Sequence, residues 1–99
     1  MVFEIIISPE AFAETNEIYL FYERASVGLG ERFLESLEDI YKKLSKAPQY
    51  YGYTNKAKDI RDVKINGFPF VVIFQIVNDT VFVLRVFNTS RDPELLKNL

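Results

Sequence analysis

Three arginines in the second half of the chain could bind phosphate or carboxylate groups. Arg61 and Arg85 each lie in an apolar run typical of a strand, and Arg91 follows the last of these runs. A guanidinium group binds the oxygens of either anion through paired hydrogen bonds. The alternative is structural: Arg61 or Arg85 pairs with Glu4 within the molecule, and Arg91 pairs with Asp92. The residue types leave both interpretations open.

The segment just before Arg61 combines aromatic residues with lysines. Tyr50, Tyr51 and Tyr53 precede Lys56 and Lys58, a combination that suits stacking on single-stranded RNA. Tyrosine also covers a sheet face while its hydroxyl stays in water. We favour the covering role for these three rings.

Cleavage of RNA requires a general base, a general acid and cations for the developing charge. The chain contains no histidine and no cysteine, so the usual proton shuttle near neutral pH and any thiolate nucleophile are missing. Asn88 cannot exchange a proton, and with Thr89 and Ser90 it is predicted to close a turn. A zinc site would need carboxylates alone. We therefore expect no metal and no cofactor.

Composition predicts one globular domain. The chain has 99 residues, 48% of them hydrophobic, and a net charge of −2, with acids in excess in the first half and bases in the second. This balance does not predict direct DNA binding, which usually needs a basic chain. No apolar run approaches the roughly 20 residues that span a bilayer, and no segment resembles a signal peptide. We expect a cytoplasmic protein with no membrane association.

The first half of the chain predicts a strand followed by a helix hairpin. Residues 2–7 alternate in the manner of a strand, and Ser8 with the following Pro and Glu is typical of a helix start. Apolar periodicity predicts helices over about 9–25 and 29–46. Because the break between them is short, the two helices should pack as an antiparallel pair.

The second half predicts a loop and three strands. Residues 48–58 lack a strand pattern, whereas 59–65, 69–77 and 81–87 are apolar runs separated by Asn-Gly and Asn-Asp turns. The predicted fold class is α+β, in the order β-α-α-β-β-β. The helix hairpin packs on one face of a mainly antiparallel four-stranded sheet.

Several apolar residues have no evident place in that core. Leu20 falls on the polar side of the first helix, and the outer face of the sheet has Phe and Val in excess. Such surface usually has a partner, which could be an amphipathic helix in a groove or a strand added to a sheet edge. The alternatives are that these residues complete the core or form a homodimer contact. The residues predicted to bind a partner are Leu20, Tyr50, Tyr51, Phe70 and Phe87.

Three segments carry a family resemblance. They are Ser-Pro-Glu-Ala at residues 8–11, Phe-Pro-Phe at 68–70, and Leu-Arg-Val-Phe at 84–87 followed by Ser-Arg-Asp-Pro at 90–93. Together with the element order, the chain resembles the RelE/ParE superfamily of type II toxin–antitoxin (plasmid stabilisation) systems, in its ParE-like branch. The resemblance implies a toxin neutralised by a cognate antitoxin that wraps its apolar grooves.

Two toxic activities occur in that superfamily. ParE-like members inhibit DNA gyrase, and RelE-like members cut mRNA on the ribosome. Many members carry histidine at the position matched here by Asn88, which disfavours cleavage, although some ribosome-dependent relatives use Lys, Tyr and Arg. The expectation is a ParE-like toxin that binds a target protein such as gyrase. The alternatives are a ribosome-dependent endonuclease and a non-toxic relative that binds only an antitoxin. If the chain cleaves RNA, the candidate residues are Arg61, Arg85, Tyr53, Asn88 and Arg91.

Overall fold

The fold follows the predicted order with one addition. A computed structural model describes residues 2–88, 90, 91, 94 and 99. Its elements are β1 (Glu4–Ile7), α1 (Pro9–Ala25), α2 (Leu29–Lys46), a 3₁₀ turn (Pro48–Tyr50), β2 (Tyr53–Asn55), β3 (Ile60–Lys64), β4 (Val71–Val77) and β5 (Thr80–Phe87). The α+β class is confirmed. The predicted loop contains the short strand β2, so the sheet has five strands, not four.

The sheet has the order β1-β5-β4-β3-β2. Strands β2 to β5 pair as an antiparallel meander, whereas β1 pairs parallel to β5. A parallel pair needs a long crossover connection, and the two helices lie within the chain that links β1 to the meander. No helix in the described part of the chain has the length and apolarity needed to cross a membrane.

Helix α1 begins at the predicted cap. The hydroxyl oxygen of Ser8 accepts a hydrogen bond from the Ala11 backbone N–H at 3.0 Å, and Pro9 occupies the first turn. The same hydroxyl donates to the carbonyl oxygen of Leu84 at 2.8 Å. Capping satisfies a backbone donor that the helix leaves unpaired, and the second bond ties the start of α1 to β5.

The two helices approach closely near their connection. Gly28, at φ 90°, precedes α2 without a capping side chain, and the Glu23 carboxylate accepts instead from the backbone N–H groups of Gly28 and Gly30, both at 2.9 Å. A Cβ atom added at Gly30 would lie 2.6 Å from Cγ of Glu23 and 2.7 Å from the carbonyl oxygen of Tyr19. Glycine at position 30 therefore permits the contact between the helices.

The sheet has an apolar cluster on each face. The larger one lies between the sheet and the helices and includes the fully buried Phe33 and Phe74. The smaller one, on the outer face, consists of Ile60, Val71, Ile73 and Phe87, with Leu84 and Leu99 packed against it. A main-chain oxygen of Leu99 also accepts a hydrogen bond from the Asn55 side chain at 3.0 Å. The prediction of exposed Phe and Val on this face is wrong for Val71 and Phe87, because Leu84 and Leu99 pack against them, whereas Val77 at the end of β4 is 44% exposed.

Candidate functional site

A groove of about 570 Å³ lies between α1 and the adjoining ends of β4 and β5. Residues three and four apart in α1 share one face of the helix, so one wall comes from successive turns of α1. The opposite wall comes from the segment before β4 and the end of β5. The lining residues are Glu14, Glu17, Ile18, Phe21, Tyr22, Pro69, Phe70, Val86, Phe87, Asn88 and Arg91.

An ion pair joins the two walls. The guanidinium of Arg85 donates from Nε to both carboxylate oxygens of Glu14 at 3.0 Å and from Nη2 to Oε2 at 2.6 Å. The backbone N–H of Val86 donates to Oε1 of Glu14 at 3.0 Å. The sequence-based pairing of Arg85 with Glu4 is therefore replaced by a pairing with Glu14, which fixes α1 against β5.

Aromatic rings form the base of the groove. Phe70 is half-buried, and its ring centroid lies 6.3 Å from that of Tyr22 and 5.9 Å from that of Phe33. Phe21 stands at the mouth, 65% exposed, with its ring edge-on to Tyr22 at 5.3 Å. The groove thus has a partly buried aromatic base and an exposed aromatic ring at its rim.

The segment after β5 closes as a turn. The side-chain oxygen of Asn88 accepts from the backbone N–H groups of Ser90 at 2.9 Å and Arg91 at 3.3 Å. This confirms the prediction that Asn88 closes a turn. Arg91 is exposed and lines the groove. Its predicted partner, Asp92, lies outside the described residues.

Arg61 lies within the structure near the far edge of the sheet, only 7% exposed. Its guanidinium donates to the carbonyl oxygens of Gln49 at 2.9 Å and Tyr51 at 2.7 Å. It also donates to the Tyr53 hydroxyl at 2.8 Å and to the Asp59 carboxylate at 3.0 Å. The predicted pairing with Glu4 is wrong, because Asp59 is the acidic partner. These bonds hold the segment before β3 against the sheet.

The three tyrosines of that segment have different environments. Tyr50 is 84% exposed, whereas Tyr51 is half-buried with its ring edge-on to Phe74 at 6.2 Å. Tyr53 is 47% exposed, and the guanidinium carbon of Arg61 lies 4.1 Å from its ring centroid. Burial, and then the neighbouring Tyr50, raise the pKa of Tyr51. A raised pKa opposes use of this hydroxyl as a general base at neutral pH.

The structure separates the predicted residues into three places. The groove is lined by Phe70, Phe87, Asn88 and Arg91, although Phe87 is only 5% exposed. Arg85 binds Glu14 and so holds the wall of the groove in place. Arg61 and the tyrosines Tyr50, Tyr51 and Tyr53 form a second group near the opposite edge of the sheet. Leu20, 47% exposed, lies in a shallow depression on the outer side of α1.

Several groove residues were not identified as site residues from the sequence, among them Phe21 and Glu14. Phe21 could have been, because it is an apolar residue beside Leu20 and lies off the stripe of α1 that packs on the core. Glu14 gave no such signal, because its partner is distant in sequence and only the packing of α1 on β5 brings the two together. Among the described residues, no cluster of acidic side chains could hold a metal ion.

Comparison with known proteins agrees with this architecture. The family described as ParE toxin of type II toxin-antitoxin system, parDE, matches residues 5–93. The chain belongs to the ParE toxin family. A search of curated proteins found no match.

Two solved structures share the fold of this ParE family member. The chromosomal ParDE toxin–antitoxin system from P. aeruginosa superposes with a TM-score of 0.65 and 20% identity, covering 88% of this chain and 96% of that one. A double arginine-to-alanine mutant of the E. coli toxin RelE, in the free state, gives a TM-score of 0.67 and 15% identity, covering 99% of this chain and 93% of that one. At these identities the likeness concerns the fold.

Proposed function

We propose that this ParE family member is a toxin that acts by binding proteins. A cognate antitoxin neutralises it by occupying the groove between α1 and the sheet, and its target is a protein such as DNA gyrase. The observation that carries the proposal is the groove itself. It is open, its base is aromatic, and Phe21 and Pro69 are exposed along it. Exposed apolar surface of this kind is typical of protein interaction sites.

The groove suits a polypeptide segment with both apolar and charged side chains. An amphipathic helix or an extended segment would place apolar side chains on the aromatic base. The exposed Glu17 and Arg91 contribute one charge of each sign to the lining. Such charges select the orientation and register of a bound segment more than they add affinity.

Protein binding accounts for the described residues better than RNA cleavage does. The chain has no histidine, and Arg61 is buried with four hydrogen bonds to its own neighbours. Arg85 is engaged by Glu14, and Asn88 closes a turn. These three candidates for cleavage therefore have contacts that support the fold, whereas the groove is open to a partner.

Binding of the antitoxin can be tested with two matched variants of α1. Phe21→Ser removes an exposed ring from the groove, whereas Phe12→Ser removes a ring of α1 that is 62% exposed and does not line the groove. Loss of about 2 kcal/mol of apolar contact corresponds to an affinity about 30-fold weaker. We expect that loss for Phe21→Ser and less than about a threefold change for Phe12→Ser, since only the Phe21 ring would contact the bound segment.

The partner in this experiment is the protein encoded beside this one, and affinity is measured by calorimetry. Mixing the two should also raise the melting temperature of the toxin, because a ligand that binds only the folded state stabilises it. Equal affinity of the Phe21→Ser variant and the unchanged chain would show that the antitoxin does not use this groove.

Expression of the isolated gene distinguishes the cellular targets. A gyrase inhibitor should stop growth, induce a DNA damage response and block supercoiling by purified gyrase. A ribosome-dependent endonuclease should instead produce cleaved mRNA before DNA damage appears. Normal growth would identify a non-toxic relative that retains antitoxin binding, and the gyrase proposal would then fail.

A further inference from the structure

We propose that the outer face of α1 is a two-fold self-association surface, on which a second copy of this chain packs its own α1 in antiparallel orientation. Leu20 and Phe21 lie at the centre of this surface. The inference rests on the exposure, spacing and charge of four side chains and does not depend on the proposed function. Glu17 and Phe21 also line the groove, so a second copy of the chain and an antitoxin would compete for these two side chains.

The outward faces of the two helices differ in character. Helix α2 buries a continuous apolar stripe, and its exposed positions are mostly charged. In α1, all of whose residues are described, only Ala11 and Ile18 are buried, whereas Leu20 and Phe21 are 47% and 65% exposed. The side of α1 that holds Leu20 and Phe21 therefore leaves apolar side chains in water, as does Phe12, 62% exposed, on the opposite flank of the helix.

These exposed side chains belong to a regular stripe. Glu17, Leu20, Phe21 and Arg24 follow the spacing i, i+3, i+4, i+7, and together with Ala25 they line a shallow depression. At about 100° per residue the four side chains fall within an arc of about 100°. This is the spacing with which one helix packs along another.

The order of charges makes the stripe complementary to itself. The midpoint of the stripe lies between Leu20 and Phe21, and Glu17 and Arg24 stand at equal distances on either side of it, about 5 Å along the helix axis. A two-fold axis through that midpoint places Leu20 level with Phe21 of the second copy and Glu17 level with Arg24 of the second copy. Each carboxylate then faces a guanidinium, twice in one interface.

Both charges are available for this contact. Within the described part of the chain, neither Glu17 nor Arg24 forms an ion pair, and both side chains are exposed. An unrelated helix would have to present the opposite charges at the same spacing, whereas a second copy does so by symmetry. The self-complementary pattern therefore favours a homodimer over a different partner.

The test exchanges the charges at positions 17 and 24 and measures the dimer Kd of each purified variant. Sedimentation velocity is run from low micromolar to several hundred micromolar concentration. The unchanged chain should dimerise. Glu17→Arg or Arg24→Glu should each raise the dimer Kd about tenfold, because a single change places like charges at two symmetry-related contacts. The double variant Glu17→Arg/Arg24→Glu restores both pairs and should return the Kd to within about threefold of the original.

Two further variants complete the design. Leu20→Ser should raise the dimer Kd about 30-fold by removing apolar contact at the centre, and Glu38→Arg on the charged face of α2 should leave it unchanged. Circular dichroism should show that each variant is folded, because all four altered positions are exposed. The inference is overturned if the unchanged chain is monomeric throughout, if the single charge reversals have no effect, or if the double variant stays as weak as the singles.

Discussion

Replacing Arg61 with alanine tests whether this arginine supports the fold or takes part in RNA chemistry. The side chain is 7% exposed and donates to the carbonyl oxygens of Gln49 and Tyr51, the Tyr53 hydroxyl and the Asp59 carboxylate. It also stacks on the Tyr53 ring. Arg61→Ala removes all of these contacts at once, and it weakens the attachment of the segment that precedes β3 to the sheet.

The expected cost is about 3 kcal/mol. A buried hydrogen bond to a charged group contributes about 1.5–3 kcal/mol, but the two carbonyl oxygens can regain water when the loop loosens, so we count about 1 kcal/mol for each of them. The stacking on Tyr53 adds about 1 kcal/mol. The pair with Asp59, whose side chain is 41% exposed, adds little, because solvent screens it.

Thermal unfolding measures this loss. In a domain of this size 1 kcal/mol shifts the Tm by about 4–8 °C, so Arg61→Ala should lower it by about 15 °C. Arg61→Lys keeps the charge but cannot bridge two carbonyl groups and stack as well, so an intermediate Tm is expected. Arg32→Ala, at an exposed position of α2, is the control and should change the Tm by less than about 3 °C. An Arg61→Ala variant with unchanged Tm that no longer cut mRNA on ribosomes would refute the structural role.

Three other changes probe the helix hairpin and its packing. Gly30→Ala should destabilise the fold by about 2 kcal/mol in urea unfolding, because the added methyl group meets the backbone of α1; an unchanged midpoint would contradict this contact. Glu23→Gln should cost about 1 kcal/mol, since a neutral amide oxygen accepts less strongly from the N–H groups that begin α2. Burial raises the pKa of Tyr41 from 10.0 to about 12, so the unfolded chain releases the phenol proton first, and stability should fall as the pH rises through that interval. Tyr41→Phe should lose this part of the pH dependence in Tm measurements between pH 8 and 12, without destabilisation at pH 7, because no described group bonds the hydroxyl.

The regular elements could be predicted because their signals are local. The alternation of apolar and charged residues in α2 repeats over 18 residues, and Ser8 with Pro9 marks the start of α1. The strand β2 has only three residues and a register shift against β3. This strand forms because the edge of β3 provides backbone groups to pair with. A segment of three residues is too short to show a periodic pattern, so the sequence did not predict it.

The groove was harder to predict than the elements that form it. Phe70, Phe87, Asn88 and Arg91 were identified as candidates, but the sequence did not indicate that α1 would provide the facing wall with Glu14 and Phe21. The roles of the arginines were also undetermined. Arg61 and Arg85 have the same chemistry in similar strands, and only their surroundings assign Asp59 to one and Glu14 to the other.

The sequence by itself determined the class of the fold, the order of its elements and the family resemblance, because hydrophobic periodicity, capping residues and turn residues act over a few neighbouring positions. The tertiary structure decided which apolar residues remain exposed. Phe87 and Val71 are buried on the outer face of the sheet, whereas Phe21 and Leu20 stay exposed on α1. Exposure depends on what lies across the fold from each side chain, and that is set by the packing of elements distant in the chain.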